Sequence, residues 1–214
     1  NTKDGRCRVI DALRINPMKA LLLFSGGMDS TYLLHELLRE KFGKGKMQIS
    51  NTVKEVVCLS FIYGQPHADR ELTAAKAITD NLGVKHLFEK LDFPFLKQDM
   101  AGSNPVVPNR NMIFLAVAGA IAEAHKCGLV CIGCTRSDYG IFRDCRPAFL
   151  REMNEALLLS NGIHIVAPLV GRTKAELVED ASGIDWGATW SCYKGEAEPC
   201  GECLACKERE ASGV

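Results

Sequence analysis

The 214-residue chain carries 26 basic and 26 acidic side chains, and 47% of its residues are hydrophobic. That length suits one substantial core with a small addition, and zero net charge leaves no overall field to draw the chain onto nucleic acid or an anionic membrane. Its apolar stretches stop well short of the ~18–20 residues that span a bilayer, and its opening residues lack the charged-then-apolar pattern of a signal, so the reading expects a cytoplasmic protein without membrane or nucleic-acid partners.

Residues 1–17 read as a polar and basic extension. Met18-Lys19 open a first strand that runs through Ala20-Leu-Leu-Leu-Phe24, and Thr31 to Leu38 has helical spacing. Glu55 to Ile62 is a second strand-like run. His67 to Leu82 repeats apolar residues at helical intervals, closed by Gly83. A third strand is predicted over Val84 to Leu91, a small-residue helix over Asn109 to His125, a buried strand over Leu129 to Gly133 and a helix over Arg146 to Leu159. Ile163 to Ala167 reads as a strand, and Thr173-Lys-Ala-Glu176 has the form of a capping box opening another helix. The stretches Gly43 to Asn51, Phe93 to Pro108 and Ser137 to Asp144 are loops long enough to cover a site. Strands alternating with helices predict an α/β fold, a doubly wound and mostly parallel sheet with its ligand at the carboxyl ends of the strands.

Between the first strand and helix lies Ser25-Gly-Gly-Met-Asp-Ser30. Small residues let the backbone approach a ligand, and the first turn of the following helix offers unpaired N–H groups and a positive dipole end to an anion. Ser25 and Ser30 add hydroxyl donors. The Gly-Lys-Ser/Thr ending of a Walker loop is missing.

Ten cysteines are present. Four of them, Cys192, Cys200, Cys203 and Cys206, combine two overlapping Cys-x-x-Cys steps with one cysteine eight positions upstream. Four thiolates suffice for a closed tetrahedral zinc site, structural more often than catalytic; spacing alone leaves an iron–sulfur cluster open. Cys131 and Cys134 form a further Cys-x-x-Cys pair and read as small hydrophobes, with a redox or sulfur-carrying role as the alternative. Cys7, Cys58 and Cys127 have no partner pattern.

The Ser25–Ser30 loop resembles the SGGxDS motif of the ATP pyrophosphatase superfamily. From Met18 to Arg209 the chain resembles the QueC family of 7-cyano-7-deazaguanine synthases, through Phe24-Ser-Gly-Gly-Met-Asp-Ser-Thr31, Tyr63-Gly-Gln65 with His67, Val107-Pro-Asn-Arg-Asn111, Asp138-Tyr139, Asp144-Cys-Arg-Pro147, Asn154-Glu-Ala156, Ala167-Pro-Leu169, Thr173-Lys-Ala-Glu176 and Thr189-Trp-Ser-Cys-Tyr193 with the cysteine cluster. The resemblance implies an ATP pyrophosphatase domain over 18–188, a zinc-binding segment over 189–214, and a homodimer. It implies an ATP- and magnesium-dependent ligase that converts 7-carboxy-7-deazaguanine and ammonia, through an adenylate and an amide, into the nitrile.

On that resemblance Phe24, Ser25, Gly26, Gly27, Met28, Asp29 and Ser30 form the ATP loop, and Asp29 orients Mg2+ and the triphosphate. Lys174 offsets negative charge at the α-phosphorus, and Arg110 presents a fork for phosphate or carboxylate. Asp138, Tyr139, Arg143, Asp144 and Arg146 are the substrate-binding candidates, with Asp144 on the base donors and Arg146 on the substrate carboxylate. His67 is the histidine nominated for proton transfer. The family's usual Asn-x-x-Asp-Tyr-Ser-Gly-Tyr-Pro-Asp-Cys-Arg is replaced here by Thr135-Arg-Ser-Asp-Tyr-Gly-Ile-Phe-Arg-Asp-Cys-Arg146, and Pro66 follows Gln65 in place of a basic residue. These departures leave room for a relative that stops at the amide or gives the acid to another amine, such as one on a protein. A tRNA thiolase or a zinc-dependent nucleic-acid-binding module fits less well, since the chain is charge-balanced and its phosphate loop is intact.

Overall fold

The computed structural model describes residues 18–41, 53–93 and 106–214. The extension at 1–17 with Cys7, the loop over Gly43 to Asn51 and most of the loop over Phe93 to Pro108 lie outside the described residues.

Five strands form one parallel sheet: β1 (Met18–Leu23), β2 (Val53–Ile62), β3 (Lys85–Lys90), β4 (Leu129–Cys131) and β5 (His164–Val166), in the order β3-β2-β1-β4-β5. Between and after them come α1 (Met28–Lys41), α2 (Ala68–Leu82), α3 (Arg110–Ala124), α4 (Pro147–Asn161), α5 (Lys174–Asp180) and α6 (Leu204–Ala211). The predicted α/β alternation is borne out, with boundaries shifted by one to three residues. Gly83 closes α2 in the left-handed conformation at φ 63°, and the Thr173 capping box forms as its sequence predicts. Two features were not foreseen. The loop over Ser137 to Asp144 is wound into two 3-10 turns, Arg136–Gly140 and Arg143–Cys145, and the cysteine-rich tail contains α6.

Side-chain alternation along β1 explains the two layers of helices. Leu21 faces a core with Val57, Val130, Leu115 and Ala118 of α3 and Leu150 and Leu157 of α4. Its neighbours Ala20 and Leu22 face the opposite core, with Tyr32, Leu33, Leu34 and Leu37 of α1, Ala75 and Ile78 of α2 and Leu177 of α5. A strand covered on both faces needs apolar residues at consecutive positions, which is why β1 reads as an unbroken run. Among the described residues no helix is long and apolar enough to cross a membrane.

The strand order fixes where a ligand can sit. From β1 the chain builds outward through β2 to β3, then crosses back to place β4 on the other side of β1. Loops leaving β1 and β4 therefore diverge, and a crevice opens at the strands' carboxyl ends. Gly26 in the loop after β1 has φ 76°, and a Cβ there would lie 2.7 Å from the backbone nitrogen of Ala75 in α2. Gly26→Ala should therefore lower stability by more than the ~1–2 kcal/mol of a left-handed alanine alone. Gly83→Ala, also left-handed but with nothing within 4 Å, supplies that baseline; equal losses in thermal unfolding would refute the close approach.

Candidate functional site

A cavity of about 260 Å³ occupies this crevice. Its wall draws on Phe24, Ser25 and Gly27 to Ser30 after β1, Ser60, Phe61 and Tyr63 at the end of β2, Gly133 and Cys134 after β4, Arg110 and Phe114 of α3, Lys174, and the tail residues Trp190, Tyr193 and Glu208. Gly26 is absent from that wall because its backbone is turned against α2.

The loop after β1 is held from within and from both sides. Ser30 Oγ donates to the Gly27 carbonyl at 3.2 Å and lies 3.3 Å from Ser25 Oγ, which accepts from Gly27 N at 3.2 Å. Trp190 N donates to the Gly26 carbonyl at 3.0 Å. On the other side the Phe24 carbonyl accepts from Ser60 Oγ at 2.5 Å, and Ser60 is 2.7 Å from His86 Nε2 on β3. Burial pulls the His86 pKa down to about 4, so this link operates with a neutral ring.

Lys174, the first residue of α5, places its Nζ 2.5 Å from Glu208, 3.4 Å from Asp138 and 3.6 Å from Asp29. Burial works against its charge, and the three carboxylates more than offset it, holding its pKa above the ordinary value. Asp138 is fixed by its second oxygen, which accepts from Thr135 N at 2.8 Å and Thr135 Oγ1 at 2.9 Å. Asp29 is less well served. Its Oδ1 is buried without a hydrogen-bond partner, and burial, opposed by Lys174, raises its pKa from 3.8 to about 7.

The opposite wall contains Arg110, whose Nη1 donates to Tyr63 Oη at 3.4 Å and whose guanidinium lies 6.0 Å from the rings of Phe114 and Phe142. Asn109 takes the left-handed conformation at φ 56° ahead of α3, a conformation asparagine tolerates better than most residues. Below Arg110 sit Gln65, His67 and Glu71, also on the cavity wall.

Of the sequence-derived substrate candidates, only Asp138 lines the cavity. Asp144 instead turns its Oδ2 to the backbone N–H of Asn111 at 3.0 Å, serving the first turn of α3. Arg146 is exposed, with Nε donating to the Tyr139 carbonyl at 3.0 Å. Tyr139 donates its hydroxyl to the Val170 carbonyl, and Arg143 faces solvent. The winding of this segment explains the divergence: Asp138, Phe142 and Cys145 line the cavity, while Tyr139, Arg143, Asp144 and Arg146 turn elsewhere. Residues the sequence did not single out are Glu71 and Glu208, ordinary helical glutamates until the fold places them. Cys131 and Cys134 are buried as expected, but Cys134 is hydrogen-bonded to Cys145, which with burial raises its thiol pKa.

The four tail cysteines converge. Their sulfurs all lie within 4.8 Å of one another, with Cys200 and Cys206 4.0 Å apart. Backbone N–H groups point at them: Lys194 N and Cys200 N donate to Cys192 Sγ, and Cys203 N to Cys200 Sγ, at 3.4–3.5 Å. Those of Cys203 and Glu202 lower the Cys200 pKa to about 6. Four sulfurs so placed suit one metal ion.

The parallel sheet, its switch-point crevice and the Ser-Gly-Gly loop facing a lysine are those of the PP-loop class. A family model described as "Queuosine biosynthesis protein QueC" matches residues 19–213, and the chain belongs to that family. It is 37% identical over 216 residues to a 7-cyano-7-deazaguanine synthase of Hahella chejuensis, covering 90% of this chain and 87% of the relative. To the synthase of Porphyromonas gingivalis it is 36% identical over 212 residues, covering 89% and 90%. Among solved structures, the U34-tRNA thiolase NcsA from Methanococcus maripaludis, determined with its 4Fe–4S cluster, matches with TM-score 0.53 and 16% identity over 93% of this chain and 65% of the thiolase. That likeness speaks to the fold alone.

The folded protein binds the Asp29 proton more tightly than the unfolded chain does, so this group's contribution to stability declines as pH rises from about 4 to about 7, by up to about 1.4 kcal/mol per pH unit. Asp29→Asn, neutral at every pH, should therefore be more stable than the parent at pH 8 and equal to it near pH 4. Urea unfolding at both values measures the difference; a less stable variant at pH 8 would contradict the assignment.

Proposed function

We propose that the cavity adenylates a 7-deazaguanine carboxylic acid with ATP and joins the activated acyl group to ammonia, going on through the amide to the nitrile 7-cyano-7-deazaguanine. The observation that carries the reading is Lys174 facing the Asp29 end of the Ser-Gly-Gly loop inside a switch-point crevice. The names of the relatives point the same way.

A carboxylate resists amines because it is anionic and lacks a good leaving group. Attack of its oxygen on the α-phosphorus of ATP forms the acyl adenylate and expels pyrophosphate. Ser25, Gly27 and Ser30 line the place for that pyrophosphate, and the bonds the Gly27 N–H and the Ser30 hydroxyl make within the loop are exchanged for bonds to its oxygens, while Lys174 stabilises the charge that builds up at the α-phosphoryl group. Ammonia attacks the acyl carbon, AMP departs, and a proton must leave the nitrogen. A second adenylation, on the amide oxygen, lets AMP and further protons leave to give the nitrile. Asp29, with its unpartnered buried oxygen, fits a magnesium ion, which supplies charge neutralisation on the phosphates. Arg110 and the aromatic rings of Tyr63, Phe114 and Phe142 suit a flat heteroaromatic acid. The proposed domain division is functional rather than spatial, because the segment 189–214 contributes Trp190, Tyr193 and Glu208 to the same cavity.

For the tail cysteines we propose zinc. Tetrahedral coordination at about 2.3 Å puts ligand sulfurs about 3.8 Å apart, a spacing these four meet with little movement, whereas a four-iron cluster needs its sulfurs farther apart. The metal fixes Cys206 and, through α6, Glu208 beside Lys174.

A second reading keeps the adenylation and changes the end: the amide is the product, or another amine, such as one on a protein, takes the acyl group. It is favoured by the altered 140–146 segment, which puts Phe142 on the cavity wall and leaves Arg143 and Arg146 exposed.

Mass spectrometry of a reaction with ATP, magnesium, ammonium and 7-carboxy-7-deazaguanine decides. A base product equal to the acid plus ammonia minus two waters, with AMP, is expected; amide alone, or AMP without a free base product, would establish the second reading, and no AMP would refute both. Elemental analysis should find one zinc per chain, lost together with a large drop in thermal midpoint in Cys203→Ser, since thiolate-rich zinc sites contribute on the order of 10 kcal/mol. Iron and sulfide in the purified protein would overturn the zinc assignment.

A further inference from the structure

The amine-transfer chemistry just proposed releases protons, and nothing assigned so far accepts them. Lys174 is a charged donor. Asp138 is held by that lysine and by Thr135, and Asp29, beside the same lysine, is assigned to magnesium. The polar pair that remains is His67, the residue that caps α2 and the histidine the sequence nominates for proton transfer, and Glu71, one turn into that helix.

Hydrogen bonding fixes what each atom of this pair can do. Gln65 accepts from Tyr63 N through Oε1 at 2.9 Å, so its amide nitrogen faces the other way and donates to the Phe61 carbonyl at 3.1 Å and to Glu71 Oε2 at 3.2 Å. The remaining oxygen, Glu71 Oε1, lies 3.7 Å from His67 Nε2. His67 Nδ1 lies 2.9 Å from the Tyr193 carbonyl. A carbonyl only accepts, so Nδ1 carries a proton. A neutral His67 then turns the lone pair of Nε2 toward a carboxylate oxygen. Two acceptors face each other across a gap slightly too long for a hydrogen bond, and one added proton would close it.

We propose that His67 and Glu71 act together as the general base of the amine-transfer step. This rests on the adenylation reading above. As the nitrogen of ammonia bonds to the acyl carbon and the C–O bond to AMP breaks, one N–H proton passes to the pair, converting neutral His67 beside carboxylate Glu71 into a state with one proton between Nε2 and Oε1. The pair returns it to solvent through the cavity before the next turnover. The same acceptor serves the later proton losses of nitrile formation. Both residues line the cavity, and His67 is 3% exposed.

The surroundings favour a shared proton over an isolated charge. Burial raises the Glu71 pKa, and His67, the Gln65 donor and Arg110 draw it partly back. The charged and titratable groups that face the pair are Arg110 from α3, Tyr63 from the turn after β2, and Tyr193 from the tail, whose ring centroid is 5.7 Å from that of His67. A base made of two groups is most effective when its joint pKa lies near the working pH.

Two near-isosteric variants separate the step from the scaffold. In His67→Asn the amide nitrogen can keep the bond to Tyr193 while the base is removed. In Glu71→Gln the amide can accept from Gln65 and donate to His67 Nε2, filling the gap without a mobile proton. Acid-dependent exchange of pyrophosphate into ATP, measured without amine, reports adenylation alone and should stay within about twofold of the parent. Amide formation from ammonia should fall about 10²–10⁴-fold in His67→Asn. Hydroxylamine, a stronger nucleophile that is already neutral at neutral pH, should recover much of that loss. In Glu71→Gln the acid limb of the rate–pH profile should move to lower pH. Equal losses in exchange and amide formation, or unchanged amide formation with an unchanged profile, would overturn the proposal.

The nitrogen-15 signals of the His67 ring without substrate judge the pair independently of the reaction. The Nε2 lone pair that faces the Glu71 carboxylate in the parent accepts from the amide of Glu71→Gln, so its signal should differ between the two proteins, and identical signals would refute the coupling even if adenylation is confirmed. A parent protein that shows the coupling but never makes an adenylate would instead refute the function proposed above.

Discussion

Three carboxylates from three separate parts of the chain meet at one ammonium group, and the arrangement of the crevice follows from that meeting. Asp29 begins α1, Asp138 sits in a 3-10 turn after β4, and Glu208 belongs to the last helix; without Lys174 their mutual repulsion would push the loop, the turn and the tail apart. The geometry is tight at Glu208 and looser at Asp29, 2.5 Å against 3.6 Å. Lys174 is thus anchored to the tail and leans toward the Ser-Gly-Gly loop. An incoming triphosphate would add negative charge to a cluster already short of positive charge. In the proposed chemistry a cation carried with the nucleotide answers that imbalance, and Asp29 has an oxygen free to meet it.

The tail is the second consequence of this arrangement. Composition makes 189–214 look like a detachable metal-binding appendage, yet it closes the crevice from one side. Trp190 N bonds to the Gly26 carbonyl, the Tyr193 carbonyl orients His67, and Arg209 donates to Thr189 Oγ1 at 2.8 Å. A short segment with so little apolar burial of its own cannot hold these positions by packing. Four cysteines clustered beside α6 offer the alternative, because in the proposed zinc site coordination would restrict the tail where a hydrophobic core cannot.

Local patterns in the sequence carried the fold and named part of the cavity's lining. The Ser25–Ser30 loop, the Thr173 box and the five strands are written in consecutive residues or short periodicities, and local signals of that kind survive folding. Asp144 and Arg146 lie off the cavity wall for a physical reason. Adjacent residues in a 3-10 turn point in different directions, so a motif that lies beside a cavity can send only some of its side chains into it. Asp144 satisfies orphan N–H groups at the start of α3 instead, a need that arises only after that helix has docked. Glu71 and Glu208 were illegible because a glutamate on an amphipathic helix carries no mark that distinguishes solvent from cavity. His86 was equally hidden, since its buried bond to Ser60 depends on the parallel register that sets Ser60 opposite Phe88 and Cys58 opposite His86.

Gln65 indicates how such a site stays specific without a rigid ligand in place. One amide spans Tyr63 N, the Phe61 carbonyl and Glu71, using its acceptor and both donors, so the turn after β2 and the first turn of α2 move as one body. The constraint reaches both ends of the proposed reaction. Through Tyr63 it bears on Arg110 and the aromatic wall suited to the acid, and through Glu71 it bears on the group assigned to take the proton. Pro66 follows directly, and its carbonyl lies against the backbone of Gly195 so closely that a Cβ there would come within 2.4 Å. The residues around His67 are therefore clamped between α2 and the cysteine-rich tail, so the imidazole's position depends on both, while only the helix supplies the carboxylate it faces.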